Sequence, residues 1–154
     1  MEKIVKIVLS ILLFFVLGNI DAHAAVAANS SSTPASQSSG DFDWEPIIRA
    51  IIYVESGGDN KAKSGKSVGA MQITPVCVEE CNNILKKQKS KKRFKLSDRF
   101  SIAKSKEMFL LLQKVYNPHN NIEQAIRAWN GGNHYSVKRT QHYYEKVMKA
   151  LKSN

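Results

Sequence analysis

The sequence predicts a mainly α-helical domain, and three observations support this fold class. In several segments after residue 42, apolar residues recur every three or four positions, which is the period of a helix that buries one face. Paired glycines and an Asn-Pro pair separate these segments, as expected where helices end. No segment alternates apolar and polar residues over enough positions to form a long strand.

The first helix is predicted to follow Asp43, whose side chain can cap it. Its apolar face consists of Ile47, Ile48, Ile51 and Ile52. Glu55 continues this face by one turn, and Gly57-Gly58 should then end the helix, because glycine adopts the left-handed conformation without steric cost. Partial burial and the negative end of the helix dipole both favour the protonated carboxyl, as a general acid requires. A solvent-facing glutamate at a helix end fits the same spacing.

The second and third helices are predicted from their start and stop signals. Thr74 and Pro75 are the expected cap and first residue of the second helix. The third starts at about Ser101 and stops at Asn117-Pro118. The residues expected to face the core are Val78, Cys81 and Leu85 in the second helix, and Ile102, Met108, Phe109, Leu112 and Tyr116 in the third.

Two more helices complete the predicted domain. Asn121 caps the fourth, with Gln124 placed to complete a capping box, and Gly131-Gly132 stops it. The fifth begins at about Ser136. Their apolar positions are Ile122, Ala125, Ile126 and Trp129 in the fourth helix, and Val137, Tyr144, Val147, Met148 and Leu151 in the fifth. This length of chain is enough for a single domain with one modest core.

The N-terminal residues are typical of a secretory signal peptide. Lys3 and Lys6 precede an apolar run over residues 7–18, and residues 22–24 (Ala-His-Ala) form a small-x-small cleavage site. The run is shorter than the roughly 20 residues of a membrane-spanning helix, so we expect no stable membrane anchor after cleavage. A stretch rich in serine and alanine then predicts a flexible linker. The predicted organisation is a signal peptide at 1–24, a linker at 25–41 and a domain at 42–154, in an exported protein that is periplasmic or secreted.

The formal net charge of +10 indicates an anionic partner. The densest run of positive charge lies between Lys86 and Lys95 and is called the basic stretch below. Nucleic acid would match this charge, but export favours an acidic cell-wall polymer, so no nucleic-acid partner is expected. A solvated loop that only keeps the protein soluble explains the basic stretch equally well.

Cys77 and Cys81 are the only cysteines. Two cysteines in an oxidising compartment suggest a disulfide, but a spacing of four within a helix makes that bridge geometrically awkward. A packed pair of thiols is therefore the favoured interpretation, and a local disulfide is the alternative. Two sulfurs are too few for a structural zinc site, and we expect neither a metal nor a cofactor.

Four short motifs follow one another along the chain. They are Glu-Ser-Gly-Gly at 55–58, Gly-Ala-Met-Gln-Ile at 69–73, Ala-Trp-Asn-Gly-Gly at 128–132, and Thr140 with Tyr143 ahead of Val147. This ordered set resembles that of the soluble lytic transglycosylases and their goose-type lysozyme relatives, over about residues 43–151. The resemblance implies a lysozyme-like single domain with a glycan-binding cleft. It also implies cleavage of peptidoglycan glycan strands between N-acetylmuramic acid and N-acetylglucosamine.

The resemblance assigns roles within the first two motifs. Glu55 matches the catalytic glutamate of the family, and Ser56 matches the hydroxyl beside it, which helps orient the site and is assigned to substrate binding. Met71 and Gln72 match a segment that lines the cleft, where Gln72 can hydrogen-bond the acid or a sugar. Judged without the resemblance, a methionine at position 71 is more often a core residue.

The later motifs supply the remaining substrate-binding residues. Asn130 matches a cleft-lining asparagine, and Trp129 stands where the family usually has tyrosine. Tyr143 resembles the tyrosine that hydrogen-bonds the catalytic carboxyl. Tyr144 also fits the apolar stripe of its helix, so spacing alone leaves open which of the two faces Glu55.

A single convincing carboxylate favours a transglycosylase over a hydrolase. Most glycoside hydrolases use two carboxylates, whereas Glu55 alone can protonate the glycosidic oxygen and then accept a proton from the C6 hydroxyl of the muramic acid. The product is then a 1,6-anhydro sugar, and no water is consumed. If Asp59 positions water, the protein is instead a hydrolytic lysozyme-type muramidase. A third alternative is a non-cleaving cell-wall-binding component of an envelope-spanning apparatus with an unidentified partner.

Overall fold

The computed structural model describes residues 42–153, and within them the chain is mainly helical, as predicted. The predicted signal peptide and linker lie outside these residues. The helices are α1 (Glu45–Ser56), α2 (Pro75–Lys87), α3 (Ile102–Tyr116), α4 (Ile122–Gly131) and α5 (Val137–Ser153). A short antiparallel hairpin of β1 (Lys63–Ser64) and β2 (Ser67–Val68) follows α1, and a 3-10 helix (Leu96–Phe100) precedes α3. None of the helices in this part of the chain is long and apolar enough to cross a membrane.

The predicted starts of α2, α3 and α4 are confirmed by their caps. The side chains of Thr74, Ser101 and Asn121 each accept a hydrogen bond from the backbone amide three residues later. Such bonds satisfy amides that have no partner within the helix. The helix boundaries near the cleft are therefore set by local sequence.

Two predicted caps are wrong in detail. Asp43 lies one residue before the N-cap of α1, and its Oδ1 accepts a hydrogen bond from the amide of Glu45 at 2.9 Å. Gln124 does not complete a capping box, because its Nε2 donates to the carbonyl oxygen of Tyr116 at 2.8 Å. The amide of Asn121, which a capping box would engage, is bonded to a side chain four residues earlier.

The core lies where α1 and α4 pack against α5, with α3 beside them. Aromatic rings connect these elements: the ring of Phe109 lies edge-on to Trp44 and to Trp129, with centroids 5.6 Å and 5.3 Å away. The largest wholly buried side chains include Ile48, Ile51, Met71, Met108, Phe109, Ile126 and Val147. Burying such side chains contributes about 1.5–3 kcal/mol each, which stabilises the packing of α1 and α4 against α5.

Ile102 and Val137 were predicted to face the core, and both predictions are wrong. Ile102 is 36% exposed and Val137 is 57% exposed. Each is the first residue of its helix, and the buried residue of that first turn is the one three positions later, Ser105 in α3 and Thr140 in α5. Periodicity identifies the face of a helix but not where the core stops along it.

Two glycines shape the chain after α1. Gly57 adopts φ 62° and ends the helix, with its amide donating to the carbonyl oxygen of Tyr53 at 2.9 Å, as predicted. Gly69 adopts φ 78°, and a Cβ at this position would lie 1.9 Å from the carbonyl oxygen of Arg99. Only glycine permits this close approach, so the segment after β2 is held against the 3-10 helix.

Candidate active site

A cleft of about 840 Å³ lies between the end of α1, the hairpin, α2 and α4. Its volume is in the range of ligand-binding pockets. Four of the residues predicted from the motifs line it, namely Glu55, Gln72, Trp129 and Asn130. Motifs that are separated along the sequence thus meet on one surface.

Glu55 lies in the last turn of α1, half-buried at the cleft. The hydroxyl of Tyr143, from α5, donates a hydrogen bond to its Oε1 at 2.7 Å. Burial raises the pKa of the Glu55 carboxyl above its ordinary value, and the hydrogen bond from Tyr143 partly offsets this effect. The site therefore favours the protonated form of the Glu55 carboxyl. It also places the Tyr143 hydroxyl where it can donate a hydrogen bond to the carboxylate form.

The structure distinguishes the two adjacent tyrosines of α5. Tyr143 bonds the carboxyl of α1, whereas the ring of Tyr144 lies 4.4 Å from the guanidinium of Arg127. Arg127 is buried in α4, pairs with Glu123 at 2.7 Å and donates to the hydroxyl of Thr140 at 3.2 Å. These contacts fix α4 against α5 and so orient Tyr143. Arg127 was not identified from the sequence, because an arginine in an amphipathic helix is ordinarily solvent-facing.

Burial also raises the pKa of the Tyr143 hydroxyl well above its ordinary value, and the neighbouring charge and hydrogen bond of Glu55 act in the same direction. Tyr143 therefore keeps its proton and remains a hydrogen-bond donor. Its role in this geometry is to hold the Glu55 carboxyl in place.

Ser56 and Met71 were assigned to the substrate by the resemblance, and the structure does not bring either of them to the cleft. The Ser56 hydroxyl donates to the carbonyl oxygen of Ala70 at 2.9 Å and accepts from the amide of Gly58 at 3.2 Å. It therefore ties the end of α1 to the segment after β2. The side chain of Met71 is wholly buried in the core, where a long apolar side chain is more stable than in a solvent-open cleft.

Gln72, Trp129 and Asn130 lie on the cleft walls. Gln72 has φ 50° and its Nε2 donates to the carbonyl oxygen of Gly69 at 2.9 Å, so the side chain is anchored at the wall. Trp129 packs against Phe109 of the core while part of its ring faces the cleft. Asn130 is exposed at the rim.

A second glutamate lines the cleft and was not identified from the sequence. Glu80 lies on α2, and its Oε1 accepts a hydrogen bond from the hydroxyl of Tyr116, at the end of α3. This hydrogen bond, with burial and the charge of Glu80, raises the pKa of Tyr116. Tyr116 was predicted to face the core, which is wrong, because the last turn of α3 reaches the cleft. No pattern in the sequence singles out Glu80, which occupies an ordinary polar position of α2 beside two other cleft-lining residues, Val76 and Cys77.

Asp59, the other acid considered from the sequence, does not line the cleft. It is exposed, and its Oδ1 accepts a hydrogen bond from the amide of Lys61 at 2.8 Å. Cys77 and Cys81 are free thiols: Cys77 faces the cleft and Cys81 is buried. Among residues 42–153, no group of three or more His, Cys, Asp or Glu side chains could hold a metal ion.

The model of one protein family, the Transglycosylase SLT domain, matches residues 34–151. This match spans well over half of the chain and confirms the resemblance predicted from the four motifs. It begins inside the segment predicted as a linker (25–41). No curated protein matches the chain, and no solved structure does. The family match supports a transglycosylase-type enzyme that acts on peptidoglycan, a polymer that lies outside the cytoplasm.

Proposed function

We propose, since this chain belongs to the Transglycosylase SLT domain family, that it is a lytic transglycosylase that leaves a 1,6-anhydro-muramic acid end. The bond cleaved joins N-acetylmuramic acid to N-acetylglucosamine. One observation carries the proposal: a half-buried Glu55 faces the cleft, burial raises its pKa, and Tyr143 holds its carboxyl.

In the proposed reaction, Glu55 acts first as an acid and then as a base. Its proton passes to the glycosidic oxygen as the bond from that oxygen to C1 of the muramic acid breaks. The C6 hydroxyl of the same sugar then bonds to C1, and the Glu55 carboxylate takes the hydroxyl proton. The carboxyl ends in its starting form, and no water is consumed.

Tyr143 supports both halves of this cycle as a positioning residue. The carboxyl becomes an anion between the two proton transfers, and a hydrogen bond to an anion is about twice as strong as one between neutral groups. The bond from Tyr143 therefore stabilises the intermediate form more than the starting form. Gln72, Trp129 and Asn130 are the proposed sugar contacts, since they line the same cleft.

A hydrolytic muramidase is the second candidate, and Glu80 is the observation that favours it. Hydrolysis needs a second carboxylate that positions water or attacks C1. Asp59 lies outside the cleft lining, so Glu80 takes its place as the candidate for that role. The family match favours a transglycosylase, which is why we rank hydrolysis second.

The proposed location is outside the cytoplasm, either periplasmic or secreted. The signal peptide predicted at 1–24 and the linker predicted at 25–41 support it, together with the position of peptidoglycan in the cell. A non-cleaving cell-wall-binding role is the third candidate. A module that only binds glycan has no need of a half-buried acid held by a tyrosine.

Product analysis tests the proposal. Purified peptidoglycan is digested with the protein, and the released muropeptides are examined by mass spectrometry. We expect products that end in anhydro-muramic acid and are lighter by one water than hydrolytic products. Reducing ends as the main product would establish the muramidase alternative. Release of no fragments by a native protein that sediments with the insoluble peptidoglycan would establish the binding role.

A further inference from the structure

The cleft continues along α2 into a second, shallow groove of about 480 Å³. Its lining residues are Glu80, Asn83, Lys86 and Lys87, and we call it the α2 groove. Glu80 lines both the cleft and the α2 groove. A molecule that occupies the cleft can therefore extend into the groove without leaving the protein surface.

The lining residues of the α2 groove lie on one face of the helix. Glu80, Asn83 and Lys87 are three or four residues apart, which places them one above another along α2, and Lys86 lies three residues after Asn83. With a rise of about 1.5 Å per residue, Lys87 lies about 10 Å along the helix axis from Glu80. The two ends of the groove therefore differ in charge. The Glu80 carboxylate lies at the cleft, and the ammonium groups of Lys86 and Lys87 lie farther from it.

The two lysines of the groove are available to a ligand. Asn83, Lys86 and Lys87 are exposed, and neither lysine takes part in the ion pairs found among residues 42–153. Lys92, farther along the basic stretch, already pairs with Glu107. Lys86 and Lys87 share their lack of an ion pair with other lysines of the basic stretch, and what sets them apart is that they line a groove that meets the cleft at Glu80.

We propose, on the basis of the function proposed above, that the α2 groove binds the peptide attached to the muramic acid, with peptide carboxylates at Lys86 and Lys87. The order of chemical groups supports this ligand. The part of the peptide next to the sugar carries amide N–H groups. The Glu80 carboxylate oxygens and the Asn83 side-chain oxygen can accept hydrogen bonds from these groups. Its carboxylates come later along the chain and meet the ammonium groups.

Length distinguishes the peptide from a carboxylate on the sugar itself. An extended chain advances about 3.3–3.6 Å per residue, so about three residues span the distance from Glu80 to Lys87. The lactyl carboxylate of a muramic acid without its peptide stays at the sugar ring, beside Glu80, where like charges repel. The groove therefore selects a carboxylate carried on a peptide.

Binding measurements test this inference separately from catalysis. Calorimetry on the full chain carrying Glu55→Gln, which prevents turnover, compares three soluble ligands of equal glycan length. They are a muropeptide glycan, the same glycan after an amidase has removed the peptides, and an N-acetylglucosamine oligomer. We expect the peptide-bearing glycan to bind about three- to tenfold more tightly than the other two at low salt, because it adds two solvent-exposed ion pairs, each of which contributes little.

Two variants that remove the same amount of charge test whether the tighter binding of the peptide-bearing glycan depends on the groove lysines. Adding Lys86→Gln and Lys87→Gln should abolish the advantage of the peptide-bearing glycan. Adding Lys89→Gln and Lys91→Gln removes the same charge from the basic stretch outside the groove lining and should preserve the advantage. A higher salt concentration should reduce the affinity advantage of the peptide-bearing glycan only in proteins that retain Lys86 and Lys87.

Four results would overturn the inference. Equal affinity for the peptide-bearing and peptide-free glycans excludes a peptide site while leaving glycan binding intact. An advantage that survives loss of Lys86 and Lys87 places the peptide elsewhere. An advantage kept by the amidase-treated glycan and lost with these lysines identifies the lactyl carboxylate as the ligand. If none of the three ligands binds, the proposed function fails as well.

Discussion

The cleft contains two glutamate–tyrosine pairs that are alike in their bonding and different in their surroundings. Tyr143 donates to Glu55, and Tyr116 donates to Glu80. Burial is the largest cause of the raised pKa of Tyr143, whereas for Tyr116 the hydrogen bond with Glu80 is the largest cause. The first pair lies between the packed helices α1 and α5, and the second lies on the α2 side, where the cleft opens into the α2 groove.

This difference shows how a protein can give two chemically equivalent pairs different tasks. Desolvation favours the protonated form of Glu55, which suits a group that must first donate a proton. Glu80 shares its surroundings with exposed polar side chains, which suits an acceptor of hydrogen bonds from a bound ligand. The following predictions test this division.

The largest expected effect separates the two glutamates. We expect Glu55→Gln to slow the release of soluble muropeptides from purified peptidoglycan by at least about 100-fold, since a positioned acid and base contributes roughly 10²–10⁴-fold. Glu80→Gln should slow it by about tenfold or less, mainly through weaker binding. Circular dichroism checks that both variants are folded. Equal losses in the two variants would indicate a two-carboxylate hydrolase and contradict the division.

The Glu55 side of the cleft was largely predictable from the sequence. The isoleucine stripe, the paired glycines and the motif order placed Glu55 at the end of a helix and at a cleft. The family motif did not indicate which side chains of its segment face the cleft, so Met71 and Ser56 were assigned to the substrate. Their positions depend on packing against the core and on a hydrogen bond to the carbonyl oxygen of Ala70. Neither interaction leaves a periodic signal.

The Glu80 side of the cleft was not predictable from the sequence. Its residues come from positions that are far apart along the chain, and the sequence around each of them is typical of any amphipathic helix. Tyr116 ends an apolar stripe and Glu80 looks like any polar residue of an amphipathic helix, so neither residue indicates their contact. The hairpin between α1 and α2 was also missed. Strands of two residues are too short to show an alternating pattern.

The second prediction concerns the tyrosines. The hydrogen bond from Tyr143 lowers the pKa of Glu55, so Tyr143→Phe should raise that pKa further. The alkaline limb of the pH–rate profile, where the acid loses its proton, should then move to higher pH. We also expect kcat to fall by about tenfold or more, because a hydrogen bond to a charged group contributes about 1.5–3 kcal/mol.

Tyr116→Phe is the matched control for the tyrosine prediction. It removes the same hydroxyl from the other pair, and we expect a higher KM with the alkaline limb unmoved. Profiles of kcat/KM against pH for a soluble glycan decide between the two behaviours. A shift of the limb to lower pH in Tyr143→Phe, or equal shifts in both variants, would mean that the two tyrosines do not act on different steps.

The smallest expected effect is on stability, and its sign depends on pH. The pKa of Glu55 is raised in the folded protein, so the folded state binds more protons than the unfolded state between the ordinary glutamate pKa and the raised one. The free energy of unfolding therefore falls as pH rises through that window, and at neutral pH the desolvated carboxylate destabilises the fold. Glu55→Gln removes this ionisation, and its amide oxygen can still accept the hydrogen bond from Tyr143. We expect its Tm at pH 7 to exceed that of the native protein by on the order of a few degrees, with the difference shrinking as pH falls through the window. Thermal unfolding at several pH values measures this, with Glu80→Gln as the control for loss of one carboxylate, and a Glu55→Gln variant that is less stable at pH 7 would contradict the account.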